Sequence, residues 1–419
     1  MSEEKVMNRW LVVGGAILIQ LCLGAIYAWS VFTPSLKEAG WTSAQTQAVF
    51  SAGLASFAVV MVIAGRLMPK VGPRALAIAG GVVLGAGYIV GGLTCGDTPD
   101  PTKLLLLIGV VGGSGIGLGY VVPIAVGMRW FPDKKGLVTG LAVAGFGFGA
   151  TLWVKLAGSW GHLIVNVGLG KTFLIYGIVF LIAVIIGGLT MIFPPEGWKP
   201  EGWEPAPAKG GTASVDDLAI TSGDMLKNPK YFMILLTFMF GASAGLMSIG
   251  LMKLYPMQAL MASGMDKAAA SAAAGLAMAV FFSLANGVGR IAWGAICEKL
   301  GVKTSIVVMM IIQGIVVIAF QKMAGTPILL YVGATLIGFN FGGNFALFPM
   351  ITANTFGAKT VGQNYGWVFL AYGVGGIFGP MLGGKLGDLD NFPLAFTICG
   401  VLCLLAAGII SMVKPPKHA

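Results

Sequence analysis

Arg290 is the charged side chain whose position most needs a chemical reason. It lies inside the apolar run Ala268–Ile296, and the next charge beyond it is Glu298. At about 1.5 Å of rise per residue, Arg290 sits roughly 12 Å along a helix from Glu298. That depth is well inside a hydrocarbon core about 30 Å thick. A charge there costs at least a few kcal/mol unless it faces a polar cavity and finds a partner, so it marks a functional site by default. None of the 16 acidic residues falls in the middle of an apolar segment, so the expected partner is an anion that comes and goes. Arginine suits that task, because its planar fork matches a carboxylate bidentately and its charge is permanent. In a low-dielectric cavity such a charge-assisted pair is much stronger than in water. Asn286 precedes Arg290 by four residues and shares its helical face. Its amide can orient the guanidinium, hydrogen-bond the ligand, or bond a neighbouring helix.

The elements that position these residues follow from composition. The chain has 419 residues, 57% hydrophobic and only 10% charged, with a mean hydropathy of +0.88. So few charges cannot cover a soluble surface, and apolar stretches of about 18 residues or more read as membrane-spanning helices. Twelve such segments run over 10–33, 44–67, 74–94, 104–128, 136–158, 171–193, 231–254, 268–296, 303–322, 328–352, 364–386 and 393–413. An all-α membrane protein is therefore expected, working as a monomer.

The net charge of +10 reflects topology, not nucleic-acid binding. With both termini in the cytoplasm, most Lys and Arg fall on that side, including Arg9, Arg66, Lys70, Arg74, Arg129, Lys134, Lys135, Lys299 and Lys303. That excess orients the chain, with the basic face against the lipid bilayer. Lys155 lies 20 residues past Lys135, about 30 Å along its helix, so it is expected to snorkel at the outer interface. The five cysteines are scattered, with no metal or disulfide spacing, and no cofactor is expected. The start MSEEKVMNRW lacks the features of a cleavable signal, which makes a bacterial or archaeal plasma membrane the simplest home.

A polar break near the centre organises the chain. Pro194–Gly211, rich in Pro and Gly, leads through polar residues to Lys230 and reads as a loop with little regular structure. Three parts follow: 1–193, a bundle of six helices; 194–230, a central cytoplasmic loop; and 231–419, a second bundle of six. The two halves echo each other. AGRLMPKVGPR (Ala64–Arg74) links segments 2 and 3, and GRIAWGAICEKLGVK (Gly289–Lys303) links segments 8 and 9. Both contain Gly, a basic residue five on, Gly again, then a basic residue: Gly65, Lys70, Gly72, Arg74 and Gly294, Lys299, Gly301, Lys303. A repeat of this kind is what a two-half carrier shows, with its site near the midplane between the halves. Glycine-dense stretches, Gly109–Gly119, Ala144–Ala150 and Gly373–Pro380, serve close helix packing and would let one bundle slide on the other.

These loops resemble the repeated cytoplasmic signature of the major facilitator superfamily; the first copy departs from it, with Pro69 where an acid is usual. RWFPDKKGLVTGLAVAGFGFG (Arg129–Gly149) is similar to the segment 4–5 signature shared by monocarboxylate transporters and the oxalate/formate antiporter family. FNFGGNFALFP (Phe339–Pro349), NYGWVFLAYGVGGIFGP (Asn364–Pro380) and the PEGWKPEGW loop resemble the antiporter family specifically. The resemblance implies that Arg290 stands where the family's arginine binds the substrate carboxylate. It also places Tyr27, Tyr120, Phe146, Phe341, Phe345, Phe369 and Tyr372 at aromatic pocket positions. The antiporter carries a second cation, a lysine, where this chain has Tyr372, and one arginine suits a monoanion such as lactate, pyruvate, formate or acetate. Animal monocarboxylate transporters often carry an aspartate where Asn286 stands.

By spacing alone, Phe341 and Phe345 share a helical face, as do Phe369 and Tyr372; such pairs also serve as core or lipid contact. If buried, the hydroxyls of Tyr27 and Tyr120 need partners. A carrier of small organic anions is thus expected, by exchange or, alternatively, with protons. An oxalate/formate exchanger is a further alternative. A membrane enzyme lacks the clustered His, Asp, Glu or Cys that acid–base or metal chemistry needs, and a channel would repeat carbonyl or charge rings.

Overall fold

The computed structural model describes residues 7–41, 43–96, 99–158, 160–204, 219–252, 254–389 and 391–413. Lys5, Lys209, Lys253, Lys414, Lys417 and His418 lie outside them. Among the described residues, twelve helices are long and apolar enough to cross a membrane: α1 Arg9–Trp29, α2 Ala48–Val71, α3 Pro73–Thr94, α4 Pro101–Trp130, α5 Lys135–Ala157, α6 Leu163–Leu189, α7 Pro229–Leu251, α8 Lys267–Leu300, α9 Val302–Met323, α10 Pro327–Phe356, α11 Val361–Gly387 and α12 Phe392–Ser411. Each matches one of the twelve apolar segments.

Several helices begin at a cap read directly from the sequence. Asn8 Oδ1 accepts from Trp10 N, and Asp266 accepts from the amides of Ala268 and Ala269. Asn228 accepts from Lys230 N, with Pro229 opening the helix. These side chains satisfy amides that have no intrahelical partner, and proline at the first position gives up a donor that had none.

Two elements depart from expectation. Helix α6 starts at Leu163, eight residues before the expected 171, and breaks at Gly168 (φ 82°). His162, expected in a loop, caps it in a left-handed conformation, and Lys171 lies within the helix. Residues 163–170 are mostly apolar, and the two glycines among them, Gly168 and Gly170, hid a start that the kink at Gly168 accommodates. Helix α2 continues past 67 through Pro69 to Val71, and Pro69 gives up the amide bond to Gly65 two residues before the helix ends. Lys155 lies in the last turn of α5 and is part-exposed.

The helix pairs come in corresponding sets. Helix α3 packs on α6 as α9 does on α12, α2 on α4 as α8 on α10, and α1 on α5 as α7 on α11. The halves are joined chiefly by α5 with α8 and α2 with α11, with smaller contacts of α5 with α10 and α4 with α11. The repeated loops explain the joints. A Cβ on Gly65 would stand 2.2 Å from the carbonyl oxygen of Gly362, and one on Gly294 would stand 2.4 Å from that of Gly136. The first glycine of each copy therefore lets the other half's helix start press against it. The second glycine turns the chain with positive φ, 81° at Gly72 and 79° at Gly301, where a side chain would be strained. This closed end carries the loops rich in Lys and Arg and is called the basic face below.

Candidate substrate site at the seam between the halves

Helix α8 passes through a π-helical stretch, Ala277–Phe282, just before the site. Such insertions reset the register of a helix and recur at functional positions. Beyond it, Asn286 and Arg290 point into the seam. Arg290 is fully buried, at 0% exposure, and is the only charged residue that is buried among those described. Its guanidinium has neutral partners. Nε donates to Asn286 Oδ1 at 3.2 Å, and Nη1 donates to the carbonyl of Val143 on α5 at 3.0 Å. Nη2 has no hydrogen-bond partner among the described residues. The expectation of a cation without a protein partner thus holds only for charged groups.

Two rings complete the setting. The guanidinium carbon lies 4.0 Å from the ring centroid of Phe345 and 5.2 Å from that of Phe146, where the electron-rich face attracts a cation. Glycines admit the arginine to α5. A Cβ on Gly147 would stand 3.4 Å from Nε and 2.8 Å from the Cα of Gly287, and one on Gly140 would stand 2.4 Å from the carbonyl oxygen of Arg290.

The aromatic residues form one cluster drawn from both halves. Phe146 meets Tyr27 at 5.1 Å and Tyr120 at 5.3 Å between centroids; Tyr120 meets Phe369 at 5.4 Å; Phe369 meets Tyr372 at 4.8 Å; and Tyr372 meets Phe345 at 5.5 Å. Phe341 stands behind Phe345 at 5.2 Å, against Gly245 and Phe282, so it supports the cluster from outside. The Tyr27 and Tyr372 hydroxyls hydrogen-bond to each other, tying α1 to α11. The Tyr120 hydroxyl has no partner among the described residues. The field of Arg290 reaches the hydroxyls of Tyr27, Tyr120, Tyr365 and Tyr372.

The sequence reading missed Phe57, whose ring lies 4.8 Å from Phe369 and 5.0 Å from Tyr120. It also missed Phe238, 5.9 Å from Phe369, and Tyr365, 5.7 Å from it. Tyr365 lay inside the quoted NYGW motif; Phe57 and Phe238 carry no motif. The Val143 carbonyl, a backbone group, leaves no signal at all. Among the described residues no three His, Cys, Asp or Glu gather as metal ligands.

A cleft of about 320 Å³ enters between the halves from the face opposite the basic one, and Tyr27, Trp29, Phe50, Thr151, Met278 and Ser283 are among its lining. Tyr27 belongs to both the cleft and the aromatic cluster.

A twelve-helix bundle in two corresponding halves, with a buried arginine at their seam, is the architecture of a membrane transporter. The chain belongs to the Major Facilitator Superfamily, whose profile it matches over residues 15–281 and 254–419. It is a multi-pass membrane transporter. Among its relatives, it is 28% identical over 372 residues to the uncharacterized MFS-type transporter YhjX of Escherichia coli, covering 88% of this chain and 86% of that one. It is 26% identical over 412 residues to the oxalate:formate antiporter of Oxalobacter formigenes, covering 97% of this chain and 92% of that one. The fold matches the major facilitator transporter FucP in its outward conformation, with a TM-score of 0.66 and 16% identity, over 96% of this chain and all of that one.

Proposed function

We propose that this transporter carries small monocarboxylates, that Arg290 binds their carboxylate, and that exchange is its favoured mode. The observation that carries the proposal is a fully buried guanidinium with Nη2 unpartnered, held at the seam by groups from both halves. A carboxylate would supply the missing acceptor and neutralise the charge. Asn286 holds the fork in orientation, and the rings exclude water, which strengthens the pair. A dianion beside one arginine would leave an uncompensated buried charge; Tyr372 offers a hydroxyl where a second cation would have been needed. The kinship with the oxalate:formate antiporter supports a carboxylate substrate and leaves oxalate as the alternative.

Exchange follows from the partners of Arg290. Opening the basic face separates α5 from α8 and breaks the bond to Val143, stranding the cation. A bound anion removes that penalty, so loaded carrier reorients more easily than empty carrier. Two further assignments support this working cycle. The basic face lies in the cytoplasm with both termini, and the chain divides into bundles 1–193 and 231–419, joined by 194–230.

Arg290→Lys and Arg290→Gln should each lower transport in proteoliposomes at least a hundredfold while the protein still inserts. Lysine cannot reproduce the fork. Near-normal uptake by the glutamine variant would overturn the site. Preloading vesicles with unlabelled substrate at equal pH should accelerate uptake more than acidifying the outside of empty vesicles. If the pH jump alone drives accumulation and preloading does nothing, the carrier is a proton symporter.

A further inference from the structure

We infer that the neutral cleft on the face opposite the basic one is the subsite for the substrate's non-carboxylate end, so that the carrier prefers monocarboxylates with an uncharged, apolar tail of about three to five carbons. This inference rests on Arg290 as the carboxylate site.

Continuity carries it first. Ser283, Asn286 and Arg290 follow one another at spacings of three and four on α8, which makes a single stripe along one face. Ser283 lines the cleft, and Asn286 holds the guanidinium. A helical side chain points back toward the helix start, so the guanidinium stands beside Asn286, about 4.5 Å of helix rise from Ser283. Tyr27 makes the same link from the other half. It lines the cleft, packs on Phe146 and bonds Tyr372. A carboxylate on Arg290 therefore directs its chain past Tyr27 into the cleft.

The chemistry of the lining carries it second. Val31, Phe50, Val154, Ile249 and Met278 supply the large aliphatic and aromatic part of the wall, and among the described residues none that lines it is charged. Of the polar groups in the wall, Ser283 Oγ donates to the Met278 carbonyl at 2.9 Å, Trp29 Nε1 donates to that of Thr46 at 2.8 Å, and the Tyr27 hydroxyl bonds Tyr372, while Thr151 Oγ1 alone among them has no partner among the described residues. Such a wall gains from burying methylenes, and one neutral hydroxyl does not offset the charge of a second carboxylate. A cleft of about 320 Å³ falls at the small end of ligand pockets. Formate and acetate would leave it unused.

The test is a binding series on purified, full-length protein with two sets of ligands: acetate through hexanoate, and malonate through adipate. The dissociation constant should fall about threefold to fourfold per added methylene from acetate to about pentanoate, the gain expected for burying each group. Each dicarboxylate should bind at least tenfold more weakly than the monocarboxylate of equal length. Two variants probe the cleft itself. Ala279→Leu should flatten the monocarboxylate series while leaving acetate within about twofold. Thr151→Lys should improve binding of four- to six-carbon dicarboxylates relative to monocarboxylates. A wild-type series that is flat, or that weakens from acetate onward, overturns the tail subsite. If Arg290→Gln still abolishes binding in that case, the carboxylate site stands without it. If Arg290→Gln binds the whole series normally, the carboxylate site has failed, and the tail subsite fails with it.

Discussion

The two joints that close the basic face are built from the same repeat and finished differently. At the joint of α5 with α8, Glu298 reaches across the seam, and its Oε1 accepts from the amide of Leu137 in the first turn of α5 at 2.9 Å. Gly294 packs on Gly136 beside it. An acid at a helix start satisfies a free amide and meets the positive end of the helix dipole. At the joint of α2 with α11, Gly65 packs on Gly362 in the same way, but the position equivalent to Glu298 is Pro69, whose side chain can accept nothing from a neighbouring helix. A cavity of about 290 Å³ lies there, bordered by Pro69, Gly362 and Gln363. The cross-seam bond is made instead by Arg129, whose Nη2 donates to the Lys359 carbonyl at 3.0 Å while its guanidinium lies 3.8 Å from the ring centre of Phe193. One joint is latched by an acid on a helix amide, the other by an arginine on a loop carbonyl. Close backbone approach is thus the shared requirement, and the charged latch is the adjustable part.

The first way to break the comparison is to remove what the joints share. Gly65→Leu and Gly294→Leu should each reduce transport at least a hundredfold, because the new side chain meets backbone that cannot yield. A cysteine at Thr139, a residue buried at the seam, reports the opening of the basic face once Cys297, which lies at the same joint against Gly136, is replaced by serine, since the other four native cysteines are buried. Its labelling should rise in both variants; unchanged labelling with normal transport would show that this closure is not part of the cycle. Removing one latch should do less. Glu298→Ala loses a cap worth about 1 kcal/mol, so labelling should rise roughly fivefold, while Arg290-dependent binding persists. An effect equal to that of Gly294→Leu would mean that the acid, not the approach, sets the joint. Smallest is the change that would make the joints alike. Pro69→Glu should slow labelling by about twofold, the scale of an exposed charge near a helix start. Faster labelling would show that the cavity beside Pro69 is needed for closure.

The membrane elements were legible because their signal is strong and local. Long apolar runs have only one stable form in lipid, and capping residues mark where several of them start. The start of helix α6 escaped because a left-handed His162 and the kink at Gly168 are backbone conformations that hydropathy does not encode. Arg290 stood out because an unshielded charge in an apolar run is costly wherever it occurs, and Asn286 followed from its spacing of four. The repeat was visible as letters, and its glycines acquired a reason only when each was seen against a carbonyl of the other half.

By itself the sequence determined the number of spans, the two-half repeat and the position of the buried arginine, because each rests on a local cost: apolar length, glycine geometry or a buried charge. The tertiary structure alone decided that Val143 offers its carbonyl to Arg290, that Tyr27 bonds Tyr372 across the halves, that Phe57 and Phe238 join the aromatic cluster while Phe341 stands behind it, and that Tyr27 also lines a cleft between the halves. Those are relations between helices distant in sequence, fixed by which glycines let which backbones approach, and no spacing within one helix encodes them.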